Sequence, residues 1–152
     1  MTSGQSRTFI NRSLTVPAGG QIALYDENES GELLYAFIVV HGANGQNLQV
    51  LFQLDGQPGP DDGRFTIDNL GTWGIDEQIQ GRFWLTKWDA VANRWTIFYS
   101  NNNVMERYRK NLKLIVFNPT VGALTIERVE IKRMNVCSVN EGFSGKGNKD
   151  GE

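Results

Sequence analysis

Cysteine and histidine are nearly missing from this chain, which has one of each in 152 residues. A single thiol cannot form an intrachain disulfide, and Cys137 with His41 supplies too few ligands for a tetrahedral zinc site. A Ser-His-acid triad needs an imidazole held by a partner, whereas His41 stands in a glycine-flanked turn. We therefore predict a protein without a disulfide, a metal, a cofactor or a catalytic residue.

Long apolar runs and an excess of one charge are missing as well. The longest apolar run, residues 33–40, is far shorter than the roughly 20 residues of a membrane helix. Lys and Arg number 15 against 17 Asp and Glu, so no global field draws the molecule to nucleic acid or to an anionic membrane. Residues 1–7 show no apolar stretch typical of an export signal. We expect no membrane partner, no nucleic-acid partner and no secretion.

Segments typical of β-strands fill most of the chain, and no strand-helix-strand alternation is present. Two consecutive hairpins are predicted because apolar and aromatic runs flank polar turns. Residues 81–88 and 94–99 flank the turn 89–93 in the first hairpin, and residues 112–117 and 123–126 flank the turn 118–122 in the second. Only residues 71–80 favour a turn of helix.

The positions of apolar residues along two strands, odd or even, give two further predictions. In residues 33–40 both phases are apolar, which is typical of a strand covered on both faces in the middle of a sheet. In the last strand Leu124 and Ile126 occupy even positions, but Val129 and Ile131 occupy odd ones. All four side chains can face the core only if one extra residue is absorbed near residues 127–128, so we predict a β-bulge or a change of sheet there.

These segments amount to about eight strands at the spacing of a sandwich or barrel. We predict an all-β fold, an antiparallel β-sandwich of jelly-roll type, over residues 8–136. A polar N-terminal arm, residues 1–7, and a Gly- and charge-rich tail, residues 137–152, are expected to be flexible.

Aromatic side chains mixed with arginines are the candidate contacts. An aromatic sheet face suits the centre of a protein interface, exposed rings could stack on a glycan, and buried rings would only fill the core. The candidate interface or binding residues are Trp73, Trp84, Trp88, Trp95, Arg82 and Arg94.

Acidic residues offer two weaker alternatives. Paired carboxylates could serve a glycosidase, and several oxygens in one loop could hold calcium. Asp in such a loop is more simply explained by its turn chemistry. The residues concerned are Asp55, Asp61, Asp62 and Asp68.

Four segments carry a resemblance to a known class of proteins: the Val-Pro-Ala-Gly-Gly break at residues 16–20, the strand 48–55 before Gly56, the Trp-rich hairpin and the segment 115–120. In general plan, residues 8–136 resemble the small β-sandwich structural proteins of tailed-phage particles, such as capsid decoration or tail-associated proteins. Membership would imply a virion protein that is assembled in the host cytoplasm and released by lysis, with contacts made by sheet faces, edges and termini.

We therefore predict a non-enzymatic virion structural protein, a capsid-surface or tail accessory component. Its expected partners are copies of itself and the major coat protein or other virion proteins. The alternative is a carbohydrate- or receptor-binding module that uses exposed tryptophans.

Overall fold

A computed structural model describes residues 6–58, 64–69, 78–79, 83–99 and 106–135 of the chain. These ranges contain twelve β-strands and a 3-10 helix at Gly45–Asn47. The strands are β1 (Ser6–Val16), β2 (Gln21–Glu27), β3 (Gly31–His41), β4 (Gln49–Leu54), β5 (Gln57–Pro58), β6 (Arg64–Thr66), β7 (Gln78–Ile79), β8 (Phe83–Asp89), β9 (Arg94–Tyr99), β10 (Glu106–Tyr108), β11 (Leu112–Phe117) and β12 (Leu124–Asn135). The described part of the chain holds no helix with the length and apolarity needed to cross a membrane.

The strands form two antiparallel sheets. The seven-stranded sheet has the order β1-β12-β3-β9-β8-β7, with β10 also paired to β3, and the five-stranded sheet has the order β2-β11-β4-β5, with β6 also paired to β4. Eight strands are six residues or longer, and the other four have two or three residues. This confirms the predicted all-β antiparallel sandwich of about eight strands.

The strand pairing is nested in the manner of a jelly roll. The first long strand pairs with the last, β1 with β12, and the second pairs with the second last, β2 with β11. Further in, β3 pairs with β9, and β4 pairs with β5 and β6. Successive strands β1 to β4 alternate between the two sheets, as they do when one long hairpin is wrapped into a double sheet. The topology confirms the jelly-roll prediction.

The core lies between the inner faces of the sheets because apolar residues alternate along each strand. On β4 and β11 the predicted alternation is confirmed: Val50, Phe52 and Leu114 are buried, whereas Lys113 is only half-buried on the other face. The larger sheet contributes the buried residues Leu33, Ala36, Ile38, Val40, Leu85, Trp95, Ile97, Tyr99, Leu124, Ile126, Val129 and Ile131.

Two compensating irregularities join β12 to β3. The register shifts between Ile126 and Arg128, which makes Glu127 the extra residue and confirms the predicted bulge. A second shift leaves Leu34 unpaired between the pairs formed by Tyr35 and Leu33. Strict alternation over residues 33–40 would place Leu33 on the same face as Tyr35, but the shift turns Leu33 into the core.

The Trp-rich hairpin is confirmed, since β8 and β9 pair across residues 89–93. The second predicted hairpin was wrong, because β11 belongs to the five-stranded sheet and β12 to the seven-stranded one. Both strands turn an apolar face inward from opposite sides of the core, so the sequence pattern cannot distinguish a hairpin from a crossing between sheets.

Asn118, which is fully buried, fixes that crossing. Its Nδ2 donates to the carbonyl oxygens of Val16 (3.0 Å) and Gly122 (2.8 Å), and its Oδ1 accepts from the backbone N–H of Thr120 (2.9 Å). Its backbone N–H donates to the Gly20 carbonyl at 2.8 Å. One amide thus ties the β1–β2 connection to the β11–β12 connection.

Several segment boundaries differ from expectation. Strand β1 begins at Ser6, two residues before the predicted start of the sandwich at residue 8, and it contains one irregularity at Ser13, which has a φ of 57°. A strand could be expected over residues 64–70, but β6 ends at Thr66 and residues 67–69 are helical. Most of the segment 71–80 and the whole tail 137–152 lie outside the described residues.

Candidate interaction surface

An aromatic patch, formed by Tyr35, Phe37 and Phe98, covers the outer face of the seven-stranded sheet. Phe37 and Phe98 are register partners on β3 and β9, and their inner neighbours Ile38 and Ile97 are buried, so alternation places both rings on the outside. The rings of Tyr35 and Phe98 are 5.5 Å apart at 19°, and those of Phe37 and Phe98 are 6.3 Å apart at 10°. All three side chains are half-buried, which leaves apolar surface for a partner.

Charged groups border the patch on the side of β12. The Tyr35 hydroxyl donates to Glu130 Oε2, and Arg128 Nη2 donates to Glu130 Oε1 at 2.6 Å. The Arg128 guanidinium also lies over the Phe37 ring, 5.9 Å from its centre. The hydrogen bond from Tyr35, aided by Arg128, lowers the pKa of Glu130, and the same bond raises the pKa of Tyr35. The side chains of the patch are therefore held in place before any partner arrives.

Arg94, one of the predicted contacts, lies on the same face at the start of β9. Its Nε and Nη2 donate to the two carboxylate oxygens of Glu127 at 2.8 and 2.9 Å. This bidentate pairing is the first cause of the lowered pKa of Glu127. His41 Nδ1 is 3.9 Å from Glu127 Oε2, so two basic side chains, Arg94 and His41, lie beside the bulge residue Glu127. Arg94 remains a rim candidate with 39% of its side chain exposed.

Trp95 does not belong to any surface. It is 2% exposed in the core, and its candidate role as a contact residue is therefore wrong. Trp88 packs edge-on against Trp95 with 6.1 Å between the ring centres, and it is half-buried. The bulge at Thr86 explains this, because the extra residue lets Leu85 and Trp88 both face inward.

The other tryptophan and arginine candidates are only partly described. The backbone of Trp84 pairs with Phe98, next to the aromatic patch, but its side chain lies outside the description. Trp73 and Arg82 lie outside the described residues. Their roles stay predictions.

A buried cluster around Glu29, which we call the Glu29 cluster, closes one end of the sandwich. Glu29 Oε2 accepts from the hydroxyls of Tyr25 (2.9 Å) and Tyr108 (3.0 Å) and from Arg133 Nε (3.2 Å). Glu29 Oε1 accepts from Arg7 Nη2 at 2.9 Å. Burial, followed by the carboxylate of Glu29, raises the pKa of both tyrosines far above the ordinary value. Both hydroxyls are thus kept protonated as donors, and the cluster joins four strands to the β2–β3 connection.

Asp55 also has a structural role. Its carboxylate accepts hydrogen bonds from the backbone N–H groups of Arg109 (2.9 Å), Lys110 (2.6 Å) and Asn111 (3.0 Å). Burial alone would raise the pKa of Asp55, but these three bonds outweigh it and lower the pKa. The carboxylate orders the β10–β11 turn, so Asp55 acts on a turn more than fifty residues away in sequence and not on the loop in which it lies.

Of the other acidic candidates, only Asp68 lies in the described residues, where it is exposed. Asp61 and Asp62 lie outside them, so their roles stay predictions. Within the described ranges no three His, Cys, Asp or Glu side chains gather as they would around a metal ion.

Sequence reasoning did not single out the aromatic patch or the Glu29 cluster. The signal for the patch was present, since the outer phase of β3 carries Tyr35 and Phe37. The Glu29 cluster had no local signal, because its members come from positions 7, 25, 108 and 133 and meet only through the topology.

No protein-family model matches the chain, and no curated protein matches its sequence.

Proposed function

We propose that this protein is a non-enzymatic structural component of a virus particle, a capsid-surface or tail accessory protein that acts by binding other proteins. The observation that carries the proposal is the aromatic patch on the outer face of the larger sheet. A protein interface has aromatic residues at its centre and a polar, charged rim. Tyr35, Phe37 and Phe98 supply the centre, and Arg128 and Glu130 supply the rim.

The rigidity of the patch supports the same proposal. The side chains of the patch are fixed on a central part of the sheet by three contacts. Phe37 stacks on Phe98, the Arg128 guanidinium lies over the Phe37 ring, and Tyr35 donates a hydrogen bond to Glu130. Binding at a preorganised surface costs less conformational entropy, because its side chains are already ordered, so a small contact area can suffice for binding. That suits a protein repeated many times on one lattice, because many modest contacts add up.

Jelly-roll domains serve as capsid and lectin domains alike, so the fold is compatible with this role without assigning it. The expected partners are the major coat protein, other virion proteins and copies of the chain. Assembly in the host cytoplasm is compatible with a protein that has a single cysteine.

Co-sedimentation with coat shells tests the proposal. Shells are assembled from the major coat protein encoded in the same genome, mixed with the purified protein and pelleted. The wild-type protein and a control with Val121→Lys, in an exposed turn where the side chain is 97% accessible, should pellet with the shells. Phe98→Ser should stay in the supernatant while its circular-dichroism spectrum remains that of a β protein.

A second variant guards against misfolding of Phe98→Ser. Thr96 lies on the same outer face, in register with Val39, and an arginine there would obstruct the surface without removing an aromatic contact. If Thr96→Arg and the wild type pellet equally, or if the genome encodes no coat protein, the proposal fails.

A carbohydrate-binding module is the second candidate, because one observation favours it. The Phe98 ring lies within 19° of parallel to each of the other two rings, and parallel aromatic rings can form a platform for sugar rings. Isothermal titration with oligosaccharides separates the two functions. Glycan binding that Phe98→Ser abolishes, without any binding to shells, would assign the patch to sugars.

A further inference from the structure

Strand β1 forms one edge of the seven-stranded sheet. It is eleven residues long and pairs on one side with β12, and no described strand pairs with its other side. The backbone N–H and C=O groups along a free edge can form a ladder with a strand from another chain. The edge of β1 therefore needs an explanation.

The other edges in the described ranges are less suited to pairing. Strand β2 is interrupted by a register shift at Leu24 and carries Asp26 and Glu27, and β5 and β7 have two residues each. Short, bulged or acidic edges resist pairing. Strand β1 keeps one register against β12 from Ser6 to Arg12, before Ser13 adopts its positive φ.

An exposed apolar side chain marks the same edge. Ile10 is 44% exposed, whereas the other large exposed hydrophobic residues among those described, Val91 and Val121, lie in turns. Ile10 on β1 pairs with Glu130 on β12, and Glu130 pairs with Phe37 on β3. The three side chains therefore form one cross-strand row on the outer face, with Ile10 at the edge of the sheet and Phe37 in the aromatic patch.

We propose that two copies of the chain pair antiparallel through β1, with Ile10 opposite Ile10 at a two-fold axis. The occupant of the edge is a second copy, because a two-fold pairing sets the exposed Ile10 against an identical apolar side chain and keeps the arginines of β1 from facing one another. The two seven-stranded sheets then form one continuous sheet, and the two aromatic patches share one face.

The register follows from the alternation of faces and from charge. In an antiparallel pair, residues directly opposite each other have their side chains on the same face of the sheet. A register shifted by one residue would set side chains of opposite faces against each other, so it is excluded. With Ile10 on the axis, Arg12 lies opposite Thr8 and Arg7 opposite Ser13, so no arginine faces an arginine. Centring the pairing on Arg7 or on Arg12 would place like charges opposite each other. The Ile10-centred register avoids that repulsion and covers the exposed apolar residue.

Disulfide trapping tests the register directly. Ile10→Cys is made in a Cys137→Ser background and oxidised with diamide, and Arg12→Cys in the same background is the matched control. Opposite residues across an antiparallel pair are about 4.5–5.5 Å apart at Cα, within disulfide range. Two Arg12 residues would be offset by four positions, roughly 13 Å, which is too far. A covalent dimer should form from Ile10→Cys alone, and equal trapping of both variants would overturn the proposal.

Sedimentation equilibrium supplies an independent readout. The wild type and Val121→Lys should be dimers at micromolar concentration, and Ile10→Lys should be a monomer with an unchanged circular-dichroism spectrum. A monomeric wild type would overturn the proposal. So would concentration-independent hydrogen-exchange protection of the β1 amides that point away from β12, because the edge would then be covered within one chain.

This proposal does not depend on the proposed virion function, since it requires only a second copy. Phe98→Ser should remain a dimer while losing its attachment to coat shells. If Phe98→Ser dissociates the dimer and Ile10→Lys does not, the edge pairing is wrong and the patch itself is the self-association surface.

Discussion

Replacing Glu29 with glutamine tests how the end of the sandwich is held together. The carboxylate accepts four hydrogen bonds, from Arg7, Tyr25, Tyr108 and Arg133, and it is the anion beside the buried Arg133 guanidinium. Arg133 is 8% exposed, and its Nη1 has no hydrogen-bond partner. Glutamine removes the negative charge and turns an NH₂ group toward donors that need an acceptor.

The magnitude follows from the burial of the partners. Removing one partner of a buried ion pair costs about 3–5 kcal/mol, because the other charge stays buried and uncompensated. Glu29 is 15% exposed, and the glutamine carbonyl can still accept one or two of the bonds, so the lower end applies. We expect Glu29→Gln to reduce the free energy of unfolding by about 3 kcal/mol, which for a chain of this length lowers the Tm by roughly 10 °C.

Urea denaturation at neutral pH measures the effect, with Glu32→Gln as the matched control. Glu32 pairs with Arg107, whose side chain is 72% exposed, so that variant should change the free energy of unfolding by less than about 1 kcal/mol. Equal losses in the two variants, or no loss in Glu29→Gln, would refute the reasoning that the buried Arg133 depends on this carboxylate.

Substitutions at three further sites, Asn118, Gly45 and Tyr25, test other parts of the fold. Asn118→Ala removes the buried hydrogen bonds of the side chain and should lower the free energy of unfolding by about 2–4 kcal/mol. Asn118→Asp should lower it further, because a carboxylate would face two carbonyl oxygens. Urea denaturation at neutral pH measures both losses. Gly45→Ala would place Cβ 2.6 Å from the ring of Trp95, so it should lower the free energy of unfolding by about 1–3 kcal/mol and change the tryptophan fluorescence. Gly122→Ala is the control: nothing lies within 4 Å of its Cβ, so stability and fluorescence should both stay unchanged. The pKa of Tyr25 is raised in the folded state, so its stabilising effect is complete below about pH 10 and is lost above it, where the unfolded chain ionises first. Tyr25→Phe should therefore lose less stability than the wild type between pH 9 and pH 11.

The strand pattern predicted the sandwich because alternation along β4 and β11 reports burial directly. It also located the bulge at Glu127, since a change of phase requires an extra residue. The same pattern could not assign β11 and β12 to different sheets, because a strand looks alike from either side of a core. That choice is made by Asn118, whose bonds to Val16 and Gly122 are not visible in the spacing of apolar residues.

The candidate surface was predictable only in part. Tryptophan content drew attention to Trp95, which the bulged hairpin instead buries together with Leu85. The patch is built from Tyr35, Phe37 and Phe98, and only the pairing of β3 with β9 brings these rings together. Which aromatic residue faces outward depends on register, since the single bulge at Thr86 turns Trp88 toward Trp95.

The most direct test of the account is a cryo-electron microscopy reconstruction of coat shells carrying this protein. Tyr35, Phe37 and Phe98 should lie in the interface with the coat, while the five-stranded sheet faces away from it. A reconstruction in which the aromatic patch faces solvent, with the coat bound elsewhere on the sandwich, would contradict it.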